Sequence, residues 1–311
     1  MNGKVTSPLT GSDNVRCLRS MKASEIIAIY QKTFGIDIGY IFAGVPEVRE
    51  FKCNDTGYRF YEPLNISGDD AFYRHFGKYD WYYLPWKWEH EKALEFMRPD
   101  DRILEVGAGR GSFLDAIQKK GYRDVAGLEL NSDAVAEARA HGVNLIRETI
   151  EQHSMTNAGK YDVVCSFQVL EHISNAGEVL SAMTNCLRQG GTLIVSVPNN
   201  DSYLKHNPLP SRVLNMPPHH MGLWNLESLK NLQRILPLAL TDTFIEPLQK
   251  IHADTYQYVM VNKMFLGSMF LTRVYWKLRL NRVVRPILGM LSKYLVGQSI
   301  LAVYQKKDAR A

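Results

Sequence analysis

Between residues 101 and 199, short β-branched and apolar runs alternate with stretches whose apolar positions recur every three or four residues. Residues 102–106 are apolar at their centre and run into glycine, and residues 112–120 have the helical period. Residues 124–130 are again strand-like and residues 132–141 helical. Residues 143–147, 161–167 and 191–197 supply a third, fourth and fifth strand. Strands that alternate with helices build βαβ units, whose parallel sheet is buried on both faces. The pattern therefore predicts an α/β domain over residues 96–311. After Pro198, a loop rich in Pro, Asn and His leads to a helix at residues 226–236 and a strand at 238–246, and a last strand closes the domain at 299–304.

Residues 1–95 follow no such alternation and are expected to form a separate small α+β module. Ser24 precedes the apolar set Ile26, Ile27, Ile29, Tyr30 and Phe34, which stops at Gly35, the signature of one capped helix. A hairpin is predicted over residues 48–61, with Asn54-Asp55-Thr56-Gly57 at its tip. An aromatic run follows: Phe72, Tyr73, Phe76, Tyr79, Trp81, Tyr82, Tyr83, Trp86 and Trp88. Aromatics at this density either pack between elements or form a lid over a ligand.

Composition changes this picture in one place. The 311 residues are 45% apolar and 22% charged, as in ordinary globular proteins. The net charge of +5 is concentrated between Thr255 and Val296, which holds Lys263, Arg273, Lys277, Arg279, Arg282, Arg285 and Lys293 and no acidic residue. This predicts a basic helical insertion over 255–297, with Pro286 breaking it into at least two helices. Three readings stay open for it: a solvated cap on the core, a peripheral contact with an anionic lipid surface or lipid-linked glycan, and a phosphate-bearing acceptor site. No nucleic-acid module accompanies the charge, so no nucleic-acid partner is expected. The polar first twenty residues predict no signal peptide, and no apolar run is long enough to span a membrane. Cys17, Cys53, Cys165 and Cys186 form no C-x-x-C pair and suit a reducing compartment. A cytoplasmic location follows, with peripheral contact at the inner membrane face if the insertion binds lipid.

The candidate chemistry starts at Gly107-Ala108-Gly109-Arg110-Gly111, between the first strand and its helix. Such a turn lets backbone amides approach a ligand without Cβ clashes. Glu105 lies two residues before the first glycine. Glu129, with Leu130 beside it, ends the next strand, where a carboxylate can accept from ribose hydroxyls. A dinucleotide is the rival ligand. In a G-x-G-x-x-G loop, however, residue 112 would be glycine, and here it is Ser112. A pyrophosphate also gains nothing from Glu105, whereas the amine of S-adenosylmethionine does.

Three segments carry a resemblance. ILEVGAGRGSFLD from Ile103, YDVVCSFQVLEHI from Tyr161 and LRQGGTLIVSVPN from Leu187 resemble, in order, motifs of class I S-adenosylmethionine-dependent methyltransferases. The resemblance implies a Rossmann-like, mostly parallel seven-stranded sheet whose last strand is antiparallel. It also implies Glu129 at the ribose, Glu148, Thr149 and Ile150 beside the adenine, and Gln168 near the transferred methyl. Gly68-Asp69-Asp70-Ala71-Phe72-Tyr73 and Trp86-Lys87-Trp88-Glu89 resemble methyltransferases of bacterial surface-glycan and deoxysugar clusters, which begin with a zinc-ribbon-like module. Here Ser7, Thr10, Cys53 and Thr56 stand in its cysteine positions. One thiolate cannot hold a tetrahedral zinc, so a metal-free relic is expected.

Methyl transfer to a hydroxyl needs alignment and usually a proton acceptor. Pro217-Pro218-His219-His220, after the fifth strand, offers His219 and His220 for catalysis or acceptor binding. His172, four residues past Gln168, is a third candidate, with Glu171 beside it. A metal on the adjacent histidines is not expected, because no carboxylate is spaced with them. The sequence reading is an enzyme that O-methylates a sugar or glycan-pathway intermediate. A C- or N-methyltransferase on a small molecule or nucleotide sugar, a non-catalytic cofactor-binding scaffold, and a nicotinamide oxidoreductase are the alternatives.

Overall fold

A computed structural model describes residues 4–79, 84–207 and 213–308. The chain opens with β1 (Val15–Lys22), α1 (Ala23–Phe34), β2 (Glu47–Cys53), β3 (Arg59–Glu62), α2 (Asp70–Phe76) and α3 (Trp88–Ala93). The βαβ region contributes β4 (Arg102–Val106), α4 (Ser112–Lys119), β5 (Asp124–Leu128), α5 (Ser132–Ala140), β6 (Leu145–Ile146), α6 (Ile150–Thr156), β7 (Tyr161–Phe167), α7 (Ala176–Cys186) and β8 (Leu187–Pro198). Then come β9 (Gly222–Leu223), α8 (Leu226–Ile235), β10 (Leu238–Pro247), α9 (Ala253–Met264), α10 (Met269–Lys277), α11 (Asn281–Leu291) and β11 (Val296–Lys306).

The main sheet has seven strands in the order β10-β11-β8-β7-β4-β5-β6. β11 runs antiparallel to both β10 and β8, and the pairs among β4 to β8 are parallel. The expected seven-stranded Rossmann-like sheet with an antiparallel last strand is the fold observed. Ile103, Leu104, Val163, Val164, Leu193 and Ile194 on its central strands are fully or almost fully buried, as a sheet covered by helices on both faces requires. The third strand is shorter than expected, two residues, because Val143 leaves the ladder to pack under Gly111. The fifth is longer and starts at Leu187.

The predicted helix and hairpin in the first 95 residues are present as α1 and as β2 with β3. Their sheet, β1-β2-β3-β9, ends on a strand contributed from beyond residue 220, so the N-terminal segment is stitched into the main domain. Its core mixes Tyr30, Tyr61, Phe72 and Phe76 with Val213, Met216, Met221 and Leu223. The aromatic run divides between core and cleft. Phe72 and Phe76 are buried in that core, while Tyr73, Trp86 and Trp88 line the central cleft. Trp81, Tyr82 and Tyr83 lie outside the described residues. Around the buried Cys53 thiol, the hydroxyls of Ser7 and Thr56 converge with that of Thr10, 3.9 Å away. Burial raises this thiol's pKa, but the bonds from Thr56 and Ser7 outweigh it and leave the pKa below its usual value.

The basic insertion is helical, but Pro286 does not divide it. It sits inside α11, and the breaks fall at Gly267 and Arg279, both in the left-handed region. Pro286 removes one helical hydrogen bond, and because no residue of α11 is buried, water can serve the freed carbonyl.

One contact sets the fit of β5 under the glycine turn. A Cβ on Gly127 would lie 2.5 Å from Leu145, 2.7 Å from Ala108 and 2.7 Å from Leu114. Gly127→Ala is expected to destabilise the fold by roughly 1–3 kcal/mol through overpacking, read as a lowered Tm in thermal denaturation.

Candidate active site

The carboxyl ends of parallel strands leave a crevice where ligands bind. Here that crevice is a cleft of about 1370 Å³, open at one side. β4 delivers Glu105 and the turn Gly107-Ala108-Gly109. Gly107, Gly109 and Gly111 all have positive φ (75°, 53° and 72°), which suits glycine and strains other residues. The amides of Gly107 and Ala108 both donate to the Leu128 carbonyl, at 2.9 and 3.0 Å, which folds the turn over β5. A Cβ on Gly107 would meet Val169 at 2.6 Å. Gly111 does not line the cleft. It precedes α4, and a Cβ there would meet Val143 at 2.9 Å and Ala138 at 3.4 Å.

Glu105 is 4% exposed, and its Oε2 has no hydrogen-bond partner. Burial pushes its pKa up to about 8, against the Lys87 ammonium, which acts to lower it. A buried carboxyl oxygen without a partner is costly unless a ligand completes it, and a cationic amine would do so. Glu129 accepts from the backbone N–H groups of Gly109 (2.9 Å), Leu130 (2.8 Å) and Asn131 (2.9 Å). A carboxylate has about four acceptor sites, so this one is fixed in place with capacity left for a hydroxyl. Leu130 is exposed at the cleft wall and Ile150 is buried in it. Thr149 and Glu148 also line it but have local work. Thr149 caps α6 by accepting from Gln152, and Glu148 bonds His153. These residues suit an adenosylmethionine: glycine amides and Glu129 at the sugar, Glu105 at the amine.

Gln168, just past β7, has φ 58°, a strained value for a non-glycine residue. Its N–H donates to the Ser196 carbonyl at 2.8 Å and its Nε2 to the Ser196 hydroxyl at 3.0 Å, holding it at the cleft. Beyond it the structure gathers His172, His219 and His220, with ring centroids 4.5–4.9 Å apart. Burial pushes His172 down to about 4 and His219 and His220 well below the usual imidazole value, so all three are neutral near pH 7. Glu171 lies behind them, 1% exposed and raised by burial to about 8.

Sequence reasoning missed three cleft residues. Lys87 and Glu89, singled out only as part of a resemblance, bring charge into the cleft from the start of α3. Glu89 is buried, its pKa raised by desolvation. Glu246, at the end of β10, is held by burial at about 7 and accepts from the amides of Gln298 (3.3 Å) and Ser299 (3.2 Å). An acid amid tryptophans was a usable signal for Glu89; nothing local marked Glu246.

Comparison with known proteins decides the family. Residues 81–236, half of the chain, match the model of a methyltransferase domain. The chain belongs to the methyltransferase-domain family. The methyl donor of that family is S-adenosylmethionine, the ligand that the Glu105, Gly109 and Glu129 arrangement suits. Among curated relatives, this methyltransferase is 31% identical over 107 residues to a ubiquinone biosynthesis O-methyltransferase of Pectobacterium carotovorum, covering 32% of this chain and 44% of that one. It is 32% identical over 109 residues to the same-named protein of Serratia proteamaculans, covering 33% and 45%. The chain thus spans less than half the length of these relatives. A solved SAM-dependent methyltransferase from Archaeoglobus fulgidus is 18% identical with a TM-score of 0.47, over 70% of this chain and 90% of that one.

Glu105 gives this site a testable sign. Its carboxyl stays protonated in the folded protein up to about 8 but ionises near 4.5 when unfolded. Its contribution to stability is therefore largest below about pH 4.5 and is lost as pH rises towards 8. Glu105→Gln is expected to flatten that loss, raising the Tm of the ligand-free protein at pH 8 relative to pH 5. Calorimetric titration of the same variant should show S-adenosylmethionine affinity weakened by at least about tenfold, the size of one charge-assisted hydrogen bond.

Proposed function

We propose that this methyltransferase methylates a hydroxyl oxygen of a sugar or glycan-pathway intermediate that it meets at a lipid surface. The observation that carries the reading is the two-ended cleft. An unpartnered buried carboxyl and a glycine turn lie at one end, and three neutral imidazoles at the other. When bound, S-adenosylmethionine supplies an electrophilic methyl group. Glu105 receives its amine, the amides of the glycine turn and Glu129 orient its ribose, and Gln168 walls the space between the two ends. A hydroxyl acceptor docks against His172, His219 and His220. A neutral imidazole can accept the hydroxyl proton, and enclosure by Tyr73, Trp86 and Trp88 excludes water. The O-methyltransferase names of the relatives favour oxygen over carbon or nitrogen. The sugar assignment rests on the sequence resemblance in the N-terminal segment, where Ser7, Thr10, Cys53 and Thr56 fit a ribbon relic without its metal.

The test is transfer of a labelled methyl from S-adenosylmethionine to a panel of nucleotide sugars, lipid-linked glycans, phenols and amines. Incorporation on a hydroxyl supports the reading. His220→Ala is expected to lower kcat by about 10²–10⁴-fold, the usual worth of a proton acceptor, while cofactor affinity holds. Transfer only to nitrogen or carbon would overturn the oxygen assignment, and tight cofactor binding without turnover on any acceptor would favour a non-catalytic binding protein.

The lipid part has its own basis. Leu266, Phe270, Met290 and Tyr294 are 95%, 73%, 71% and 74% exposed, interspersed with the basic side chains of α10 and α11. Lys250, Ile251, His252 and Thr255 around the start of α9, and Ser292 and Lys293 after α11, line the cleft, so an acceptor held in the headgroup layer has a short path inside. Apolar side chains with a basic face bind anionic membranes, each Lys or Arg near the surface adding about 1 kcal/mol. The protein is expected to sediment with phosphatidylglycerol vesicles and not with phosphatidylcholine alone. Leu266→Ser with Phe270→Ser should weaken that binding at least about tenfold at unchanged Tm. Equal binding by the variant would remove the lipid surface from the reading.

A further inference from the structure

We propose that His172, His219 and His220 form a binding site for a divalent transition-metal ion of the zinc class, with an open coordination position towards the cleft. One ring nitrogen from each lies within 4.8 Å of the others, and among the described residues this is the one group of three potential ligands so placed. A metal–nitrogen bond of about 2.0–2.1 Å sets ligand nitrogens about 3.4 Å apart in a tetrahedron, within reach of small ring rotations.

The surroundings of the rings support the same assignment. Each Nδ1–H has an oxygen to donate to: the His219 carbonyl for His172 (2.6 Å), the Leu214 carbonyl for His219 (2.8 Å) and the Asn215 Oδ1 for His220 (3.0 Å). The Asn215 amide is itself oriented, because its Nδ2 donates to Asn200 Oδ1 at 2.7 Å, and Asn200 Nδ2 donates to the Trp224 carbonyl at 2.9 Å. This network holds all three imidazoles in the tautomer whose Nε2 carries the lone pair. Outer partners of this kind are what orient metal-ligating histidines and raise their basicity.

The second observation is Glu171. It is 1% exposed, its Oε1 lies 3.9 Å from His172 Nε2, and its Oε2 has no hydrogen-bond partner. A buried carboxyl with an unsatisfied oxygen, adjoining one of the three imidazoles, is costly without a ligand and well served by a nearby cation. Imidazole donors select zinc, cobalt, nickel or iron over magnesium or calcium. Three protein ligands leave one position for water or a hydroxyl, whose proton the bound metal would acidify; with the metal in place the imidazoles would ligate it and no longer serve as the proton acceptor. That use in turnover rests on the methyl-transfer reading; the site does not. The sequence hid it, because 47 residues separate His172 from the adjacent pair.

The test uses the tag-free full chain in a Cys17→Ser background, which removes the exposed thiol. The chelator-stripped protein is titrated with Co²⁺ and followed by visible absorption, and zinc is counted by mass spectrometry. One equivalent per chain with the bands of four- or five-coordinate cobalt is expected. His172→Gln with His220→Gln should abolish it, and Asn215→Ala should weaken it about 10–100-fold, as loss of an outer partner does. Retained binding of S-adenosylmethionine shows that each variant is folded. Absent uptake, or uptake unchanged in the double variant, would overturn the site. Stoichiometric uptake without methyl transfer to any hydroxyl would leave the site standing and remove the proposed function; turnover in a protein that takes up no metal would do the reverse.

Discussion

Two backbone amides, those of Gly107 and Ala108, donate to one carbonyl, that of Leu128. The rest of the cofactor end depends on this double bond. It pulls the turn after β4 across the end of β5, so that Glu105 from one strand and Glu129 from the next face the same space. The closure is possible because Gly127 has no side chain between the turn and α4. Glu129 then locks it from the other side by accepting from Gly109. A carboxylate that orients the turn is thereby oriented itself, and neither group needs to reorganise when a hydroxyl arrives. Preorganisation of this kind lowers the ordering cost of binding.

The acceptor end has a different support. His219 and His220 sit in the long loop between β8 and β9, whose start is tied to β11 by the Asn199 amide and the Tyr203 hydroxyl, both donating to Gln298. The loop runs into β9, which pairs with β3, and Gly222 passes so close to Tyr58 that a Cβ there would lie 2.1 Å from its hydroxyl. The amides of Met221 and Gly222 both donate to the Glu171 carbonyl, at 2.7 and 2.9 Å. These two bonds bring the loop onto the segment after β7, next to His172. The N-terminal segment is therefore part of what places the imidazoles, since its sheet ends on the strand that follows them.

The legible parts of the sequence were those with a period or a short motif. The βαβ alternation gave the sheet, and the glycine turn with Glu105 and Glu129 gave the cofactor end, because neighbours in these motifs are neighbours in space. Pro286 was misread because a proline's local cost is smaller in a helix none of whose residues is buried, where water reaches the freed carbonyl. Glu246 and the joining of His172 to His219 and His220 depend on long-range packing, β10 against β11 and β9 against β3, and no local pattern encodes those.

The remaining unsatisfied groups are not spread at random. Tyr58 Oη, Glu171 Oε2 and Trp224 Nε1 are buried without partners, and the Tyr58 ring lies tilted against Trp224, centroids 4.5 Å apart. Burial raises the Tyr58 phenol's pKa, and the nearby Glu171 carboxylate raises it further. Of the five such groups among the described residues, Glu105 and Glu171 line the cleft, and Thr272 lies apart in α10. Folded proteins satisfy nearly all buried polar atoms, and exceptions gather where a ligand or ion completes them. One such atom at the cofactor end and a cluster behind the imidazoles mean that the native packing is incomplete at both ends of one cleft. The fold accepts that local instability on either side of the space where donor and acceptor must meet.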